Sequence, residues 1–240
     1  MDNAQSPGAE TVLRLSGITK RFGPLVANDA ISLSLKRGEV VALLGENGAG
    51  KTTLMNILFG HYTADEGKIE VFGKALPVGD PNAALAAGIG MVHQHFTLAD
   101  QMSVLENIVL GTQSLWSFNL GKAKARQKIR ELATDYGLDV DPDRQISDLS
   151  VGERQRVEIL KALYRAARIL ILDEPTAVLT PMETEALFAT LKKLVDAGLS
   201  VIFISHKLGE VQSVNASASR SSRRCIVGRV FSFSTSRPRC

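Results

Sequence analysis

The chain has 240 residues, of which 45% are apolar and 22% charged, and a formal net charge of +3. Its length suits one domain, or one with an inserted lobe; no apolar run approaches the ~20 residues of a membrane helix, and the polar start Met1-Asp2-Asn3-Ala4-Gln5 is no signal peptide, so a soluble, cytoplasmic protein is expected. The positive balance comes from Arg220, Arg223, Arg224, Arg229, Arg237 and Arg239; without these six, the 28 basic residues fall to 22 against 25 acidic ones, and net charge gives no support to nucleic-acid binding by the body of the chain.

In chain order, residues 11–15 alternate enough for a first strand, and Ala30-Ile31-Ser32-Leu33-Ser34-Leu35 alternates strictly, as a half-exposed strand does. Between them lies Lys20-Arg21-Phe22-Gly23, whose aromatic ring is either a stacking platform for an adenine or a core-rim phenylalanine beside a turn. Lys36-Arg37-Gly38-Glu39 turns into the apolar run Val40-Val41-Ala42-Leu43-Leu44. The next stretch, Gly45-Glu46-Asn47-Gly48-Ala49-Gly50-Lys51-Thr52, has the form G-x-x-x-x-G-K-[ST], and Leu54, Met55, Ile57 and Leu58 follow it at helical spacing. Strand, glycine-rich turn and helix together make a phosphate-binding loop rather than a plain turn. Its glycines let successive N–H groups wrap an anion at the positive end of the new helix. Lys51 is expected to reach the β- and γ-phosphates and the Thr52 hydroxyl to hold Mg²⁺.

Asp65-Glu66-Gly67 is a turn, residues 68–72 a short strand, and residues 81–87 a small-residue helix ended by Gly88. Ile89-Gly90-Met91-Val92 reads as a buried strand with Gln94 at its end. His93 and His95 flank that glutamine at a spacing two metal ligands can share, but no third ligand is near. From about residue 96 to 147 the pattern is helical, with Val104, Leu105, Ile108 and Val109 on one segment and residues 122–137 on another. Lys122, Lys124, Arg126, Lys128 and Arg130 on the latter read as a solvated face, and the region as a lobe inserted into an α/β core.

Ser150-Val151-Gly152-Glu153 is locally a capping box opening a helix to about residue 167. Residues 168–172 are an almost wholly apolar strand ended by Asp173-Glu174-Pro175, and paired carboxylates there are costly unless used. Thr180-Pro181-Met182-Glu183 is a second capping box with proline at the first helical position. A helix to Gly198 and the buried strand Ser200-Val201-Ile202-Phe203-Ile204 follow, with Ser205-His206 at the strand end.

Strand ends in a parallel sheet converge on one crevice, so Lys51, Thr52, Gln94, Asp173, Glu174 and His206 are expected to face one nucleotide phosphate group. With those residues the chain strongly resembles the ATP-binding subunits of ABC transporters, over about residues 11–211. Residues 45–52 look like Walker A, Gln94 the Q-loop, Leu149-Ser150-Val151-Gly152-Glu153-Arg154-Gln155 the signature, residues 169–174 Walker B, residues 177–180 the D-loop and His206 the H-loop, all in family order. Residues 90–96, 106–111 and 169–180 are similar to the simple-sugar and nucleoside importers, whose ATPases fuse two nucleotide-binding domains, and this sequence resembles the first. Val151 stands where a glycine is usual in the signature, and Thr180 where many relatives have the D-loop aspartate.

The resemblance implies a P-loop NTPase (RecA-like) α/β core with an antiparallel β subdomain and the inserted helical lobe. It implies ATP contacts from Phe22, Gly45, Glu46, Asn47, Gly48, Ala49, Gly50, Lys51, Thr52 and Thr53, and Mg²⁺ held by Thr52, Gln94 and Asp173. Glu174 would be the general base or water-orienting group, His206 the γ-phosphate sensor and Gln94 the reporter to the lobe. Ser150, Val151, Gly152 and Glu153 would serve a nucleotide presented by a facing domain. The expected partners are transmembrane permease subunits, a second nucleotide-binding domain and, indirectly, a solute-binding protein at the inner face of the membrane, with no nucleic acid. A non-transport ABC ATPase of translation or repair would need a basic linker between tandem domains or a coiled coil in the lobe, and the sequence shows neither. A truncated, inactive fragment is a third reading.

That third reading comes from the tail, where the resemblance stops after Leu208-Gly209-Glu210-Val211. Residues 212–240 lack acids and lysines, show no period before Cys225, and hold both cysteines of the chain, Cys225 and Cys240. Serine, arginine and cysteine are what GC-rich coding DNA yields out of frame, and Asn215-Ala216-Ser217 written AAC-GCG-TCG and shifted two bases gives the Arg-Val pair the family carries near here. A frameshift near Val211 is expected, with residues 212–240 off the core; the other reading is a basic Ser/Arg tail for RNA or anionic lipid.

Overall fold

The structure, a computed structural model, describes residues 10–112 and 121–206 and the backbone of 231–233. In chain order its elements are β1 (Thr11–Phe22), β2 (Leu25–Lys36), β3 (Val40–Gly45), α1 (Lys51–Phe59), β4 (Glu66–Val71), β5 (Lys74–Ala75), α2 (Pro81–Ala86), β6 (Ile89–Val92), α3 (Val104–Val109), α4 (Lys122–Tyr136), α5 (Val151–Tyr164), β7 (Ile169–Asp173), α6 (Pro181–Asp196), β8 (Ser200–Ser205) and β9 (Phe231–Phe233). They form an antiparallel sheet of order β2-β1-β4-β5 and a parallel sheet of order β6-β7-β8-β3-β9. This is the expected α/β core with its antiparallel subdomain.

The interiors of β3, β7 and β8 are apolar at successive positions because both of their faces are covered. In β7, Ile169 and Ile171 point into a core shared with α1 and the antiparallel sheet, where Leu13, Leu15, Leu54 and Leu58 are buried. Leu170 and Leu172 point the other way, into a core shared with α3, α4, α5 and α6. Val41 and Leu43 of β3, and Ile202 and Ile204 of β8, join the first core; Val201 and Phe203 join the second. The sheet is thus the middle of three layers. In β2, Leu33 and Leu35 are buried while Ser32 is exposed, as the alternation predicts for an edge strand wet on one face.

The lobe is built on α3 and α4, with α5 packed in the same core. Val104, Leu105, Ile108 and Val109 of α3 and Ala125, Ile129 and Ala133 of α4 make its apolar faces. The basic run on α4 is a surface face with partners: Arg126 forks onto Asp143 at 2.7 Å, and the Lys128 ammonium donates to the Tyr164 carbonyl at 2.9 Å. Among the described residues, no helix is long and apolar enough to cross a membrane.

One expectation for the tail differs from the structure. Phe231–Phe233 pairs in parallel with β3, Leu43 opposite Phe231 and Gly45 opposite Phe233. An unpaired sheet edge offers N–H and C=O groups to any extended segment, and β3 has that edge free once β8 covers its other side. The rest of the tail, Cys225 and Cys240 included, lies outside the described residues.

Candidate functional site

The register of the parallel sheet brings the candidate residues together. Val92 pairs with Leu172, Asp173 with Ile204, and Leu44 with Ser205. Gln94, Glu174 and His206 each lie just past those positions, so they stand side by side along the carboxyl edge of β6, β7 and β8. The phosphate loop leaves β3 at the same edge, where open α/β sheets hold their ligands.

The loop itself is fixed from three sides. Gly48 and Gly50 have φ of 83° and 88°, a left-handed conformation that glycine takes without strain. A Cβ on Gly50 would lie 2.1 Å from the Ala27 carbonyl oxygen, so the β1–β2 hairpin presses directly on the loop. Asn28, buried in that hairpin, donates its amide to the Gly50 carbonyl at 3.1 Å, while its own Oδ1 has no partner. The Lys51 ammonium is buried and donates to the carbonyls of Gly45 and Glu46 at 2.7 and 2.8 Å, bracing the loop from inside. Glu46, Asn47 and Gly48 are exposed at the tip, Ala49 is buried, and Thr53 is half-buried in the first turn of α1.

Beside the loop, the Thr52 hydroxyl hydrogen-bonds the carboxylate of Asp173. Burial pushes the Asp173 pKa up, as does the charge of Glu174, against the Thr52 hydrogen bond and Lys51. A hydroxyl and a half-dehydrated carboxylate are hard oxygen donors of the kind Mg²⁺ takes, so this pair fits the metal expected there. Gln94, the third expected ligand, is exposed on the adjoining segment. Glu174 has φ of 47°, a backbone conformation costly for a side chain of its size, and its N–H donates to the Ile204 carbonyl at 3.1 Å. Such strain is held where the surroundings over-determine it, often at functional sites. Its carboxylate is mostly buried and lies 3.2 Å from Nδ1 of the half-exposed His206.

Phe22 is an exposed ring rather than a core-rim one. It lies edge-on to Tyr62, with centroids 5.7 Å apart, and Lys20 sits 5.4 Å from its centroid. His93 does not pair with His95 but faces His61 across 6.0 Å with nearly parallel rings; among the described residues no three His, Cys, Asp or Glu side chains cluster as a metal site. Burial, with His61 opposite, keeps His93 less basic than an ordinary histidine.

Ser150, Val151, Gly152 and Glu153 open α5 against the first turn of α6. The Ser150 hydroxyl accepts from the Glu153 N–H at 3.2 Å, and the Glu153 carboxylate accepts from the Ser150 N–H at 2.7 Å. The structure adds residues that sequence reasoning missed. Buried Glu158 of α5 accepts from both the N–H and the hydroxyl of Thr97, at 2.7 and 2.9 Å, so the segment after Gln94 is tied to the helix that Ser150 caps. Asn28 and Tyr62 were missed for want of any local pattern. Glu183 was read only as a cap, yet it also accepts from the Gly152 N–H at 3.1 Å.

Comparison with known proteins agrees with this geometry. The profile described as "ABC transporter" matches residues 28–177. The chain is 55% identical over 205 residues to the nucleoside import ATP-binding protein NupA of Lactococcus lactis subsp. cremoris, covering 85% of this chain and 40% of that one. It is 48% identical over 233 residues to the glucose import ATP-binding protein TsgD13 of Haloferax volcanii, covering 85% and 42%. The chain therefore spans about two fifths of the length of these relatives. Its fold superposes on a crystal structure of an ATP-binding cassette of an ABC transporter in the ADP conformation, with a TM-score of 0.74, 28% identity and 85% of each chain covered.

Proposed function

Since this chain belongs to the ABC transporter family of ATP-binding domains, matched over residues 28–177, we propose that it binds and hydrolyses Mg-ATP to power an importer of simple sugars or nucleosides. The observation that carries the reading is the single sheet edge on which the phosphate loop, Gln94, Asp173, Glu174 and His206 meet in register. The names of NupA and TsgD13 support the substrate class. Transmembrane permease subunits and a second nucleotide-binding domain are the partners this implies, with a solute-binding protein acting through the permease. Work of that kind places the chain at the inner face of the membrane.

The chemistry follows from the residues. Backbone N–H groups at the start of α1 and the Lys51 ammonium, released from its two carbonyls, take the phosphate oxygens. Phe22 offers its face to the base. Thr52, Asp173 and Gln94 would hold Mg²⁺, which neutralises charge on the β- and γ-phosphates when bound. Glu174 orients the attacking water and accepts its proton, and His206, 3.2 Å from that carboxylate, acts as the γ-phosphate sensor. The Thr97–Glu158 tie then carries the position of the Gln94 segment to α5 and the lobe.

Titrating Mg-ATP against two variants tests the assignment. Glu174→Gln is expected to bind ATP as the parent does and to turn over ~10²–10⁴-fold more slowly, the usual cost of losing a general base. Lys51→Ala is expected to lose binding itself. Parental ATP affinity in Lys51→Ala would remove Lys51 from its role, and parental turnover in Glu174→Gln would remove Glu174 from its own.

A further inference from the structure

The N-terminus of α5 is held by a carboxylate from another helix. Glu183 caps α6 with one oxygen: its Oε2 accepts from the Thr180 N–H at 3.0 Å and from the Thr180 hydroxyl at 2.9 Å. Its other oxygen, Oε1, reaches across to α5 and accepts from the Gly152 N–H at 3.1 Å. The approach is close: a Cβ on Gly152 would lie 2.6 Å from that same oxygen and would push the carboxylate aside. The Thr180 N–H and hydroxyl, with help from Gly152 and Arg156, hold the Glu183 pKa below the ordinary range. Glu183 is therefore an anion seated on the first turn of the signature helix.

A second observation gives that carboxylate somewhere else to go. Glu183 lines a cavity of about 80 Å³ together with Gln155 and Arg156. The Gln155 amide nitrogen and the Arg156 Nε are both buried there and have no hydrogen-bond partner. Buried donors without an acceptor are rare and costly in folded proteins. Two of them beside a carboxylate that can rotate about its side-chain torsions provide a ready second seat.

We propose that Glu183 is a gate on the signature helix. In the unpaired chain it occupies the Gly152 N–H that a facing domain's nucleotide phosphate needs, and on pairing it moves to Gln155 and Arg156. This rests on reading Ser150 to Glu153 as the half-site for a nucleotide held by a second domain. A carboxylate and a γ-phosphate cannot share one N–H donor, and their charges repel. Pairing therefore has to displace Glu183, which sets a threshold for closure, and its return after phosphate leaves favours reopening. Glu183 acts here as a positioning residue and touches no reacting atom.

The test is Mg-ATP-dependent dimerisation of the whole chain, followed by sedimentation in the slowly hydrolysing Glu174→Gln background. Adding Glu183→Gln leaves a neutral acceptor that holds the N–H less tightly and does not repel phosphate, and pairing is expected to tighten about tenfold. Glu106→Gln is the control, because Glu106 caps α3 in the same way, far from Gly152 in the chain. Both changes are expected to lower the thermal midpoint, but only Glu183→Gln to tighten pairing. Pairing left unchanged or weakened by Glu183→Gln overturns the gate. Absence of pairing by the Glu174→Gln parent at saturating Mg-ATP overturns the reading of the signature half-site instead, and the gate falls with it.

Discussion

Phe22 shows what a single residue can and cannot say about its job. Its position between two strands left stacking platform and core rim equally open, because both uses put an aromatic beside a turn. Exposure argues against the core rim: the ring is 43% exposed, is steadied from one side by Tyr62, and sits on a hairpin whose next strand presses on the phosphate loop. Base stacking on an aromatic ring contributes ~1–3 kcal/mol. Phe22→Ala is expected to weaken ATP and ADP alike by roughly five- to a hundredfold while leaving the affinity for inorganic tripolyphosphate unchanged. Titration of the three ligands checks it, and ATP binding unaffected by the change would mean the base sits elsewhere. By contrast the closeness of Lys51, Thr52 and Asp173 was legible, since the loop and the strand-end carboxylate are local patterns that a parallel sheet brings to one edge. Asn28 was not, because its role depends on a contact with Gly50, 22 positions away.

Among the elements, helix starts were the clearest part of the sequence and also show its limit. Ser150–Glu153 and Thr180–Glu183 are capping boxes in sequence and in structure. Ser103–Glu106 is a third, with the Glu106 carboxylate accepting from the Ser103 N–H at 3.1 Å. The segment was read as helical from Val104, Leu105, Ile108 and Val109, but its S-x-x-E start was passed over. Glu106, Glu153 and Glu183 all have pKa values below the ordinary range, in each case chiefly through the backbone N–H they cap. A lowered folded-state pKa means stabilisation that is complete above the unfolded glutamate value of about 4.3 and is lost as pH falls through the folded values. The share of the urea midpoint that these caps contribute is therefore expected to stay flat from neutral pH down to about 5 and to fall below ~4.5. Ser103→Ala, which removes one cap, is expected to cost ~1 kcal/mol at neutral pH. A variant with the parent's urea midpoint would show that this cap contributes nothing. The strand interiors were harder to read: Ile169-Leu170-Ile171-Leu172 is apolar at every position, so only the structure shows that alternate residues feed two different cores.

At the scale of the whole molecule, the two chemically distinct halves of the proposed site lie on different layers. The phosphate loop, Asp173, Glu174 and His206 belong to the sheet edge, whereas Ser150 and Gly152 open α5 in the lobe and face α6 through Glu183. The family resemblance implies this division, whereas spacing alone does not, since it says nothing of which helix end meets which neighbour. Nor did composition foretell that Phe231–Phe233 of the arginine-rich tail would pair with β3. A half-site without its complement hydrolyses slowly, because the developing charge on the γ-phosphate lacks the helix N-terminus that would stabilise it. On the proposed reading, two copies of this chain, or one copy and a matching second domain, would complete each other by placing Ser150 and Gly152 of one over the phosphate loop of the other. ATP turnover per chain is therefore expected to be weak at low concentration and to rise steeply as the chain is concentrated or as a matching domain is added. Saturation with concentration then reports the pairing constant directly. The measurement is steady-state phosphate release across a wide dilution series at fixed, saturating Mg-ATP. Turnover per chain that is full and constant across the series would show that one copy suffices, and that the signature residues serve their own phosphate loop.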